Sequence, residues 1–591
     1  MKCLTREIYA DGLLPGSCPS LPSGWLKTCL EEHDSCINKD APLPTRVIDV
    51  GASDKNPSLY ITRGEISSWV ALSYCWGTDV DFTLTRETYD LLIRGCELEK
   101  FPATIRDAII ITRSLGVRYL WVDALCIFQD SLSDWEAEAP KMGDIYHHAQ
   151  LTIAAKASDN VHCGILNRRN NVPYCRVKWK HDFSASRSTS PETFVQLRPP
   201  NCYDTANILR HSRWATRAWT VQEELLSTRL LSFTSSQMTW HCPSVRAYEA
   251  EFFPRAPDDE REDDHLLKDL QSLKLHEEKA IDLSHDAMHT RFTSAFDLWY
   301  YVLIRYAPRS LTNPDDRLPA LAGLASSFYT WTKDEYIAGM WKKDLAHSML
   351  WRYDDAVAIN TSRYKDIPSW SWASLQGTAL RWRASHTGTP SWMYKNLVED
   401  QARILDVDVD YVSPSVYSAV YRASVTLEAP CYEFCLTDNQ GTKSTTGHFE
   451  AFIRKLLGLN SADAEHLDYA YFFSIGEFNL RHQHHEGQTF VAVQMMRCKE
   501  WDPEAAIPLQ SFAYEFLLLE SKGVPSSYPP RDTFISRYRR IGVLSMNSEN
   551  FWKWFTPHVN PEGGWDFGKL VTAALGEIQH SDWTLRTVII D

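Results

Sequence analysis

The sequence predicts an α/β fold with an open, mostly parallel sheet, followed by a helical middle region and a β-rich C-terminal region. Between residues 46 and 155, short apolar runs alternate with segments whose apolar residues recur at helical spacing, the pattern of a β-α-β-α-β sheet. One apolar run, 119–122, leads directly into Asp123, so a polar group is expected at the carboxyl end of a strand. After about residue 365, short alternating runs such as 490–494 are typical of strands.

The individual elements follow from the apolar pattern and from residues that begin or end helices. Pro102 suits the first turn of a helix, Gly116 ends that helix, and Pro140 interrupts the next one. The strands are expected at residues 46–50, 69–74, 117–122, 151–155, 229–233 and 238–241. The helices are expected at residues 101–115, 133–149 and 218–226.

Length and composition indicate several regions. A chain of 591 residues is too long for one ordinary core, and the charged run 257–264 is typical of a solvated linker. The polar residues 167–210 are predicted to form an insertion or a long loop. The predicted regions are a leader over 1–45, an α/β domain over 46–250, a helical region over 265–365 and a β-rich region over 366–591.

Net charge and cysteine content indicate which kind of partner and which cellular compartment to expect. The formal net charge of −15 argues against a nucleic acid as the main partner, because phosphates require a basic surface. The 14 cysteines form no CxxC framework, so reduced thiols and a cytoplasmic location are expected. No signal peptide is expected, and the most apolar stretch, 108–127, contains Arg113, Arg118 and Asp123, so no membrane span is predicted.

Several common catalytic motifs are missing from the sequence. It contains no GxGxxG after a strand, no Walker A loop, no HExxH and no GxSxG. Their absence argues against an ordinary dehydrogenase, a P-loop NTPase, a zinc protease of that type and an α/β-hydrolase.

Four blocks, in this order and spacing, resemble the fungal heterokaryon-incompatibility (HET) domain. They are VALSYCWG at 70–77, LGVRYLWVDALCIFQD at 115–130, MGDIYHHA at 142–149 and RAWTVQE at 217–223. The resemblance covers roughly residues 44–225 and implies a flavodoxin-like α/β domain distantly similar to TIR domains. Cys163–Leu166 and Ala218 depart slightly from the family pattern, but neither is a candidate catalytic group.

The resemblance implies a role in nonself recognition and programmed cell death, through a protein partner or self-association. Some TIR domains cleave NAD, so an alternative is a nucleotide-glycoside-cleaving enzyme with NAD as its candidate substrate. A third alternative is a tailoring enzyme of secondary metabolism built on the same scaffold. A nucleotide or another small molecule is therefore a candidate ligand, and no cofactor is assigned.

Glu223 is the leading catalytic candidate. It lies four residues after Trp219 on a predicted helix, so both share one face, a spacing similar to that of the TIR helix that carries the NAD-cleaving glutamate. Cleavage of the nicotinamide–ribose bond develops positive charge on the ribose, which a carboxylate would stabilise. In the structural alternative, Glu223 pairs with Arg217 or Arg229 and fixes the helix.

Two further groups in the 115–130 block are candidate catalytic groups. Asp123 could bind ribose hydroxyls or act as a base, or it could organise hydrogen bonds after a buried strand. Cys126 could be a nucleophile if His147 or His148 reached it, or it could be a small buried apolar residue. The residues expected to bind a ligand at the same rim are Ser73, Trp76, Gln129, Arg217, Trp219 and Gln222.

Cys29, His33 and Cys36 fall on one helix face at a spacing that permits metal binding. No fourth ligand is evident in the sequence. Packing of a leader helix is therefore the favoured interpretation, and no metal is assigned.

Overall fold

The computed structural model separates into two compact units. Unit 1 comprises residues 1–281, 309–311 and 319–327, and unit 2 comprises residues 282–308, 312–318 and 328–591. The structure describes residues 20–36, 41–52, 55–78, 82–166, 175–179, 193–197, 212–249, 295–353, 364, 367–375, 380–382, 398–435, 489–500, 511–521, 537–546 and 584–591. The charged run 257–264 lies outside these ranges.

Helices and strands are numbered in chain order. The helices are α1 Ser20–Glu32, α2 Tyr89–Arg94, α3 Ala103–Ser114, α4 Asp123–Cys126, α5 Leu132–Glu138, α6 Met142–His148, α7 Arg213–Thr216, α8 Thr220–Leu226, α9 Ala295–Tyr306, α10 Ala322–Thr332 and α11 Leu345–Ser348. The first ten strands are β1 Arg46–Asp49, β2 Ser58–Ile61, β3 Trp69–Ser73, β4 Tyr119–Trp121, β5 Leu151–Ala154, β6 Cys175–Trp179, β7 Thr193–Leu197, β8 Leu230–Phe233, β9 Met238–His241 and β10 Arg246–Tyr248. The remaining strands are β11 Tyr336–Ile337, β12 Met340–Trp341, β13 Arg352–Tyr353, β14 Leu380–Arg381, β15 Val398–Asp400, β16 Arg403–Tyr411, β17 Val420–Cys435, β18 Thr489–Glu500, β19 Ser511–Ser521, β20 Arg537–Met546 and β21 Thr584–Ile590.

Unit 1 contains an eight-stranded sheet in the order β10-β9-β8-β5-β3-β4-β1-β2. The pairings β3–β4, β3–β5 and β5–β8 are parallel, and the other four are antiparallel. The sheet is thus mixed, and the expectation of a mostly parallel sheet was wrong at its edges. Short connections join β1 to β2, β8 to β9 and β9 to β10, and such connections allow only antiparallel pairing.

The parallel core determines where a ligand site can lie. Strand β3 has β4 on one side and β5 on the other, and β8 follows beyond β5. The chain therefore leaves β3 toward β4 on one side of the sheet and leaves β5 toward β8 on the other side. In sheets of this kind, the usual ligand position is outside the carboxyl ends of the two strands at which the order reverses, here β3 and β5. Ser73 is the last residue of β3 and pairs with Ala154 at the end of β5.

The helices of unit 1 largely follow the sequence expectation. Helix α3 begins directly after Pro102, and the segment from 132 to 148 is interrupted by a short 3-10 turn at Ala139–Lys141, where Pro140 lies. Within the predicted insertion, β6 and β7 form an antiparallel pair, so that stretch is not entirely loop.

Unit 2 contains a seven-stranded sheet in the order β15-β18-β19-β20-β21-β17-β16. Strand β17 pairs with both β18 and β21, so the five strands from β17 to β21 close into a ring. The helical part of this unit packs around tryptophans, with the rings of Trp299 and Trp341 5.6 Å apart and steeply inclined to each other. No helix in the described ranges is long and apolar enough to cross a membrane.

Helices α6 and α10 meet within unit 1 at two glycines. A Cβ built on Gly143 would lie 2.6 Å from the Cα of Gly323, too close for any side chain. The backbones can approach this closely because neither residue has a side chain.

We expect Gly143→Ala to destabilise unit 1 by about 1–3 kcal/mol, because the added methyl group overpacks the contact between the two helices. Urea unfolding measures the loss. The matched control is Gly24→Ala in α1, where nothing lies within 4 Å and alanine should stabilise the helix by about 0.5–1 kcal/mol. Equal unfolding midpoints for the two variants would contradict the close contact.

Candidate functional site

A single hydroxyl group connects β3 with α7 and α8. The Oγ–H of Ser73 donates a short hydrogen bond to Oε2 of Glu223, and the indole Nε1–H of Trp214 donates to the same Oγ at 2.8 Å. All three side chains are buried; Glu223 is only 4% exposed. The hydroxyl thus satisfies a carboxyl and an indole that would otherwise be costly to bury.

Hydrogen bonds at both ends of helix α8 fix the position of Glu223. At its start, the Thr220 hydroxyl donates to the carbonyl of Trp214 at 2.9 Å and to that of Arg217 at 2.8 Å. After its end, the Ser227 hydroxyl donates to the Glu223 carbonyl at 2.5 Å and to Oγ1 of Thr152 in β5 at 2.7 Å. Every residue of α8 is buried, so the helix is a core element.

Arg217 is the cation of the site. Its Nη1–H donates a short hydrogen bond to the carbonyl of Tyr74, the residue after β3. Burial opposes its charge, yet the carboxylates of Glu223 and Asp123 outweigh that effect and raise the pKa of Arg217. One guanidinium therefore balances two carboxyl groups at the carboxyl end of β3.

Asp123 lies at the outer edge of the same cluster and is partly exposed. Its Oδ2 accepts from the indole Nε1–H of Trp76 at 2.8 Å, and its Oδ1 accepts from the backbone N–H of Ala124 at 2.7 Å. Burial raises the pKa of Asp123, whereas Arg217 and these hydrogen bonds oppose the shift. Asp123 thus combines the structural role expected after a buried strand with access to the rim.

Burial raises the pKa of Glu223 to about 7, although the charge of Arg217 and the hydrogen bond from Ser73 act in the opposite direction. A carboxyl group with this pKa can take up and release a proton near neutral pH.

Arg229 was the other residue predicted to pair with Glu223. It instead donates to Sγ of Cys29 at 3.1 Å and to the carbonyl of Cys36.

The remaining predicted ligand-binding residues are Gln129, Gln222 and Trp219. Gln129 is exposed, and its side chain donates to the carbonyls of Ile127 at 2.8 Å and Asp123 at 3.2 Å, so it stabilises the loop after α4. Gln222 is buried and accepts from the backbone N–H of Gly323 at 3.3 Å. Trp219 is partly buried directly before α8.

Cys126 lacks the environment of a nucleophile. Burial raises the pKa of its thiol to about 12, so the reactive thiolate is disfavoured. Nδ1 of His147 lies 3.4 Å from the carbonyl of Leu226, and Nδ1 of His148 lies 2.9 Å from that of Asp144. We therefore leave Cys126 out of the proposed chemistry.

A buried ion pair beside the cluster was not found from the sequence. Nζ of Lys156 lies 2.8 Å from Oε1 of Glu224 and 4.6 Å from the ring centre of Trp214. Arg309 lies 3.9 Å from the other carboxylate oxygen and donates to Oγ1 of Thr220 at 2.7 Å. Trp214 precedes the RAWTVQE block by only three residues and could have been considered, whereas Arg309 is too distant along the chain for any local signal.

Comparison with protein families identifies this part of unit 1. Residues 69–223 match the family model described as heterokaryon incompatibility protein (HET), so the chain carries a HET domain, and the resemblance of its sequence blocks is confirmed. The matched range begins at the first residue of β3 and ends at Glu223, and it therefore includes Ser73, Asp123 and Arg217. No curated protein and no solved structure matches the chain.

We expect Glu223→Gln to change how the free energy of unfolding depends on pH. The folded chain holds the Glu223 proton up to a pH of about 7, whereas a glutamate in the unfolded chain releases it near its ordinary pKa of 4.5. The contribution of Glu223 to the stability of the wild type therefore falls as the pH rises through this window, and the variant lacks this contribution. The variant should gain on the order of 2–3 kcal/mol relative to the wild type between these two pH values.

Urea unfolding at about pH 4.5 and about pH 7.5 measures this difference between the two stabilities. Glu136→Gln, which removes a carboxyl group from the surface of α5, controls for the loss of one ionisable group. If wild type and Glu223→Gln differed by the same amount at both pH values, the pKa of Glu223 would not be raised.

Proposed function

We propose that this HET-domain chain is a fungal effector of nonself recognition that triggers cell death from the cytoplasm by associating with a protein partner or with itself. The observation that carries the proposal is the HET match over 69–223. It covers three of the four parallel strands, β3, β4 and β5, and the buried cluster at the carboxyl end of β3. The eight cysteines whose side chains are described form no disulfide, which supports a reducing compartment.

The cluster supports a role for unit 1 as the effector. Ser73, Trp214 and Glu223 join the central strand to the last two helices of the matched range. A change in the protonation of Glu223 alters the hydrogen bonding between these elements, because a carboxylate accepts from Ser73 whereas a protonated carboxyl can also donate. This makes the cluster a point at which a signal can alter the domain.

We expect controlled expression of the full chain in a fungal host to reduce viability, and Ser73→Ala to abolish the effect. The substitution leaves the Glu223 carboxyl and the Trp214 indole without their shared partner. Colony counts after induction give the readout, with immunoblots confirming equal protein levels. Ser133→Ala, at an exposed serine of α5, is the matched control and should stay toxic. Normal growth with the wild-type chain would contradict the effector role.

A second candidate function is cleavage of a nucleotide glycoside such as NAD, and a specific observation favours it. The perturbed carboxyl groups lie at the carboxyl ends of the parallel strands, where the strand order changes direction. Along the chain the parallel strands follow one another as β3, β4, β5 and β8, and across the sheet their order is β4-β3-β5-β8. The same order occurs in flavodoxin-like sheets and supports the TIR-like character.

In this hypothesis the carboxyl groups act on the ribose. Breaking the nicotinamide–ribose bond leaves the bonding electrons on nicotinamide and positive charge on the ribose, and water then adds to give ADP-ribose and a proton. Asp123 is partly exposed and is the group that a ligand at the rim would meet, whereas Glu223 would stabilise the charge in its ionised form. Trp76, held by Asp123, provides an aromatic surface beside it.

We expect purified full-length chain to release nicotinamide from NAD, with a rate that rises with pH through about 7 as Glu223 ionises. Asp123→Asn and Glu223→Gln should each lower the rate by roughly 100-fold or more, the range typical of a lost acid–base or charge-stabilising group. Chromatographic detection of nicotinamide is the measurement. Glu136→Gln should retain the wild-type rate, and equal release by Glu223→Gln and the wild type would contradict the mechanism.

A further inference from the structure

Four side chains, three near the N-terminus and one far along the chain, converge at one edge of unit 1. The sulfur atoms of Cys29, Cys36 and Cys242 and a ring nitrogen of His33 all lie within 4.8 Å of one another. The three cysteines are completely buried, and His33 is partly buried. Cys242 is the fourth ligand that the sequence does not reveal, because it lies about two hundred residues after the other three.

Two short structural elements supply these groups. Cys29 is in the last turn of α1, His33 follows that helix, and Cys36 ends the 3-10 turn Asp34–Cys36. Cys242 begins the tight connection between β9 and β10, where its backbone N–H donates to the carbonyl of Val245 at 3.1 Å. The cluster thus joins the N-terminal helix to a hairpin at the outer edge of the sheet.

The separations fit a tetrahedral ion. Nδ1 of His33 lies 3.5 Å from Sγ of Cys242 and 3.8 Å from Sγ of Cys36. A tetrahedral zinc ion with Zn–S of about 2.3 Å and Zn–N of about 2.0 Å separates its ligand atoms by roughly 3.5–3.8 Å. The four groups therefore need only small shifts to share one ion.

The surroundings stabilise negative charge on the sulfur atoms. Nε of Arg229, a residue that is 1% exposed, lies 3.1 Å from Sγ of Cys29. Oγ of Ser244 lies 3.4 Å from Sγ of Cys36. Three thiolates and a divalent cation carry a net charge of −1, which the adjacent guanidinium balances. Arg229 also donates to the carbonyls of Cys36 and Gln150, and these hydrogen bonds hold its guanidinium beside the sulfur atom of Cys29.

We propose that Cys29, His33, Cys36 and Cys242 bind one structural zinc ion. Three thiolates and one imidazole favour zinc over the hard cations, and a closed four-ligand set is typical of structural and not catalytic zinc. The ion fixes α1 against the β9–β10 edge, beside the contact between the rings of Trp25 and Trp240, whose centres are 6.4 Å apart. It lies away from the Ser73 cluster and is independent of the proposed function.

Elemental analysis of the full-length chain, purified without chelators, tests the proposal. We expect about one zinc per chain in the wild type and at least a fivefold loss in Cys242→Ser, because removal of one of four ligands opens the site. Cys96→Ser, at another buried cysteine of unit 1, is the matched control and should keep the zinc. Absence of zinc from the wild type, or full retention by Cys242→Ser, would overturn the proposal.

Two further measurements apply even if Cys242→Ser does not fold. Cobalt exchanged into the wild type should give the intense visible absorption of tetrahedral cobalt and a near-ultraviolet thiolate band. A chelator should increase amide hydrogen exchange in α1 and the β9–β10 connection, with little change in β3. Detection of a disulfide among the three cysteines in freshly purified protein, or exchange in α1 that the chelator leaves unchanged, would instead show that no ion holds the cluster.

Discussion

The hydroxyl group of Ser73 is the constraint on which the HET domain's polar core depends. It donates to Glu223 and accepts from Trp214, so the central strand, the short helix α7 and the buried helix α8 meet at one atom. Each of the two bonded groups would cost on the order of 1–3 kcal/mol if it were buried without a partner. The positions of α7 and α8 are therefore coupled to the end of β3, and a shift in one element must be accommodated by the others.

Charge balance extends this constraint outward. The negative charges of Glu223 and Asp123 both act on Arg217. Lys156 and Arg309 lie close to the carboxylate of Glu224. The adjacent residues Glu223 and Glu224 of α8 thus have different hydrogen-bond and ion-pair partners. Glu224 has two cations close by, as a buried charge requires. Glu223 instead accepts a hydrogen bond from the Ser73 hydroxyl, and Arg217 and Arg309 act on it through their charges. The pKa of Glu223 rises because burial outweighs these effects.

Sequence reasoning succeeded where the signal was local. Strands β3, β4 and β5 are apolar runs because both faces of a parallel core are covered. Asp123 could be placed at the end of a strand because it directly follows one of these apolar runs. The antiparallel direction at the β8–β9 edge could have been inferred from the four residues between the predicted strands 229–233 and 238–241, because so short a connection excludes parallel pairing. The antiparallel pairing of β1 with β4 had no local signal, because these strands are far apart along the chain. Trp214, Arg309 and Cys242 were missed because each acquires its role from residues brought close only by folding.

The identity of residue 223 bears on whether the cluster is only structural. If its single task were to accept a hydrogen bond from Ser73, a neutral side chain would serve with a smaller cost of burial than a carboxyl group that ionises near neutral pH. A carboxyl group at this position makes the domain's hydrogen bonding responsive to proton uptake, and it provides negative charge at the carboxyl ends of the parallel strands. Sites that depart from the least costly choice in this way are typically functional, because the loss in stability is tolerated only where the group is used. The same reasoning separates Glu223 from Cys126, because a buried thiol whose pKa is raised stays uncharged and packs as a small apolar group.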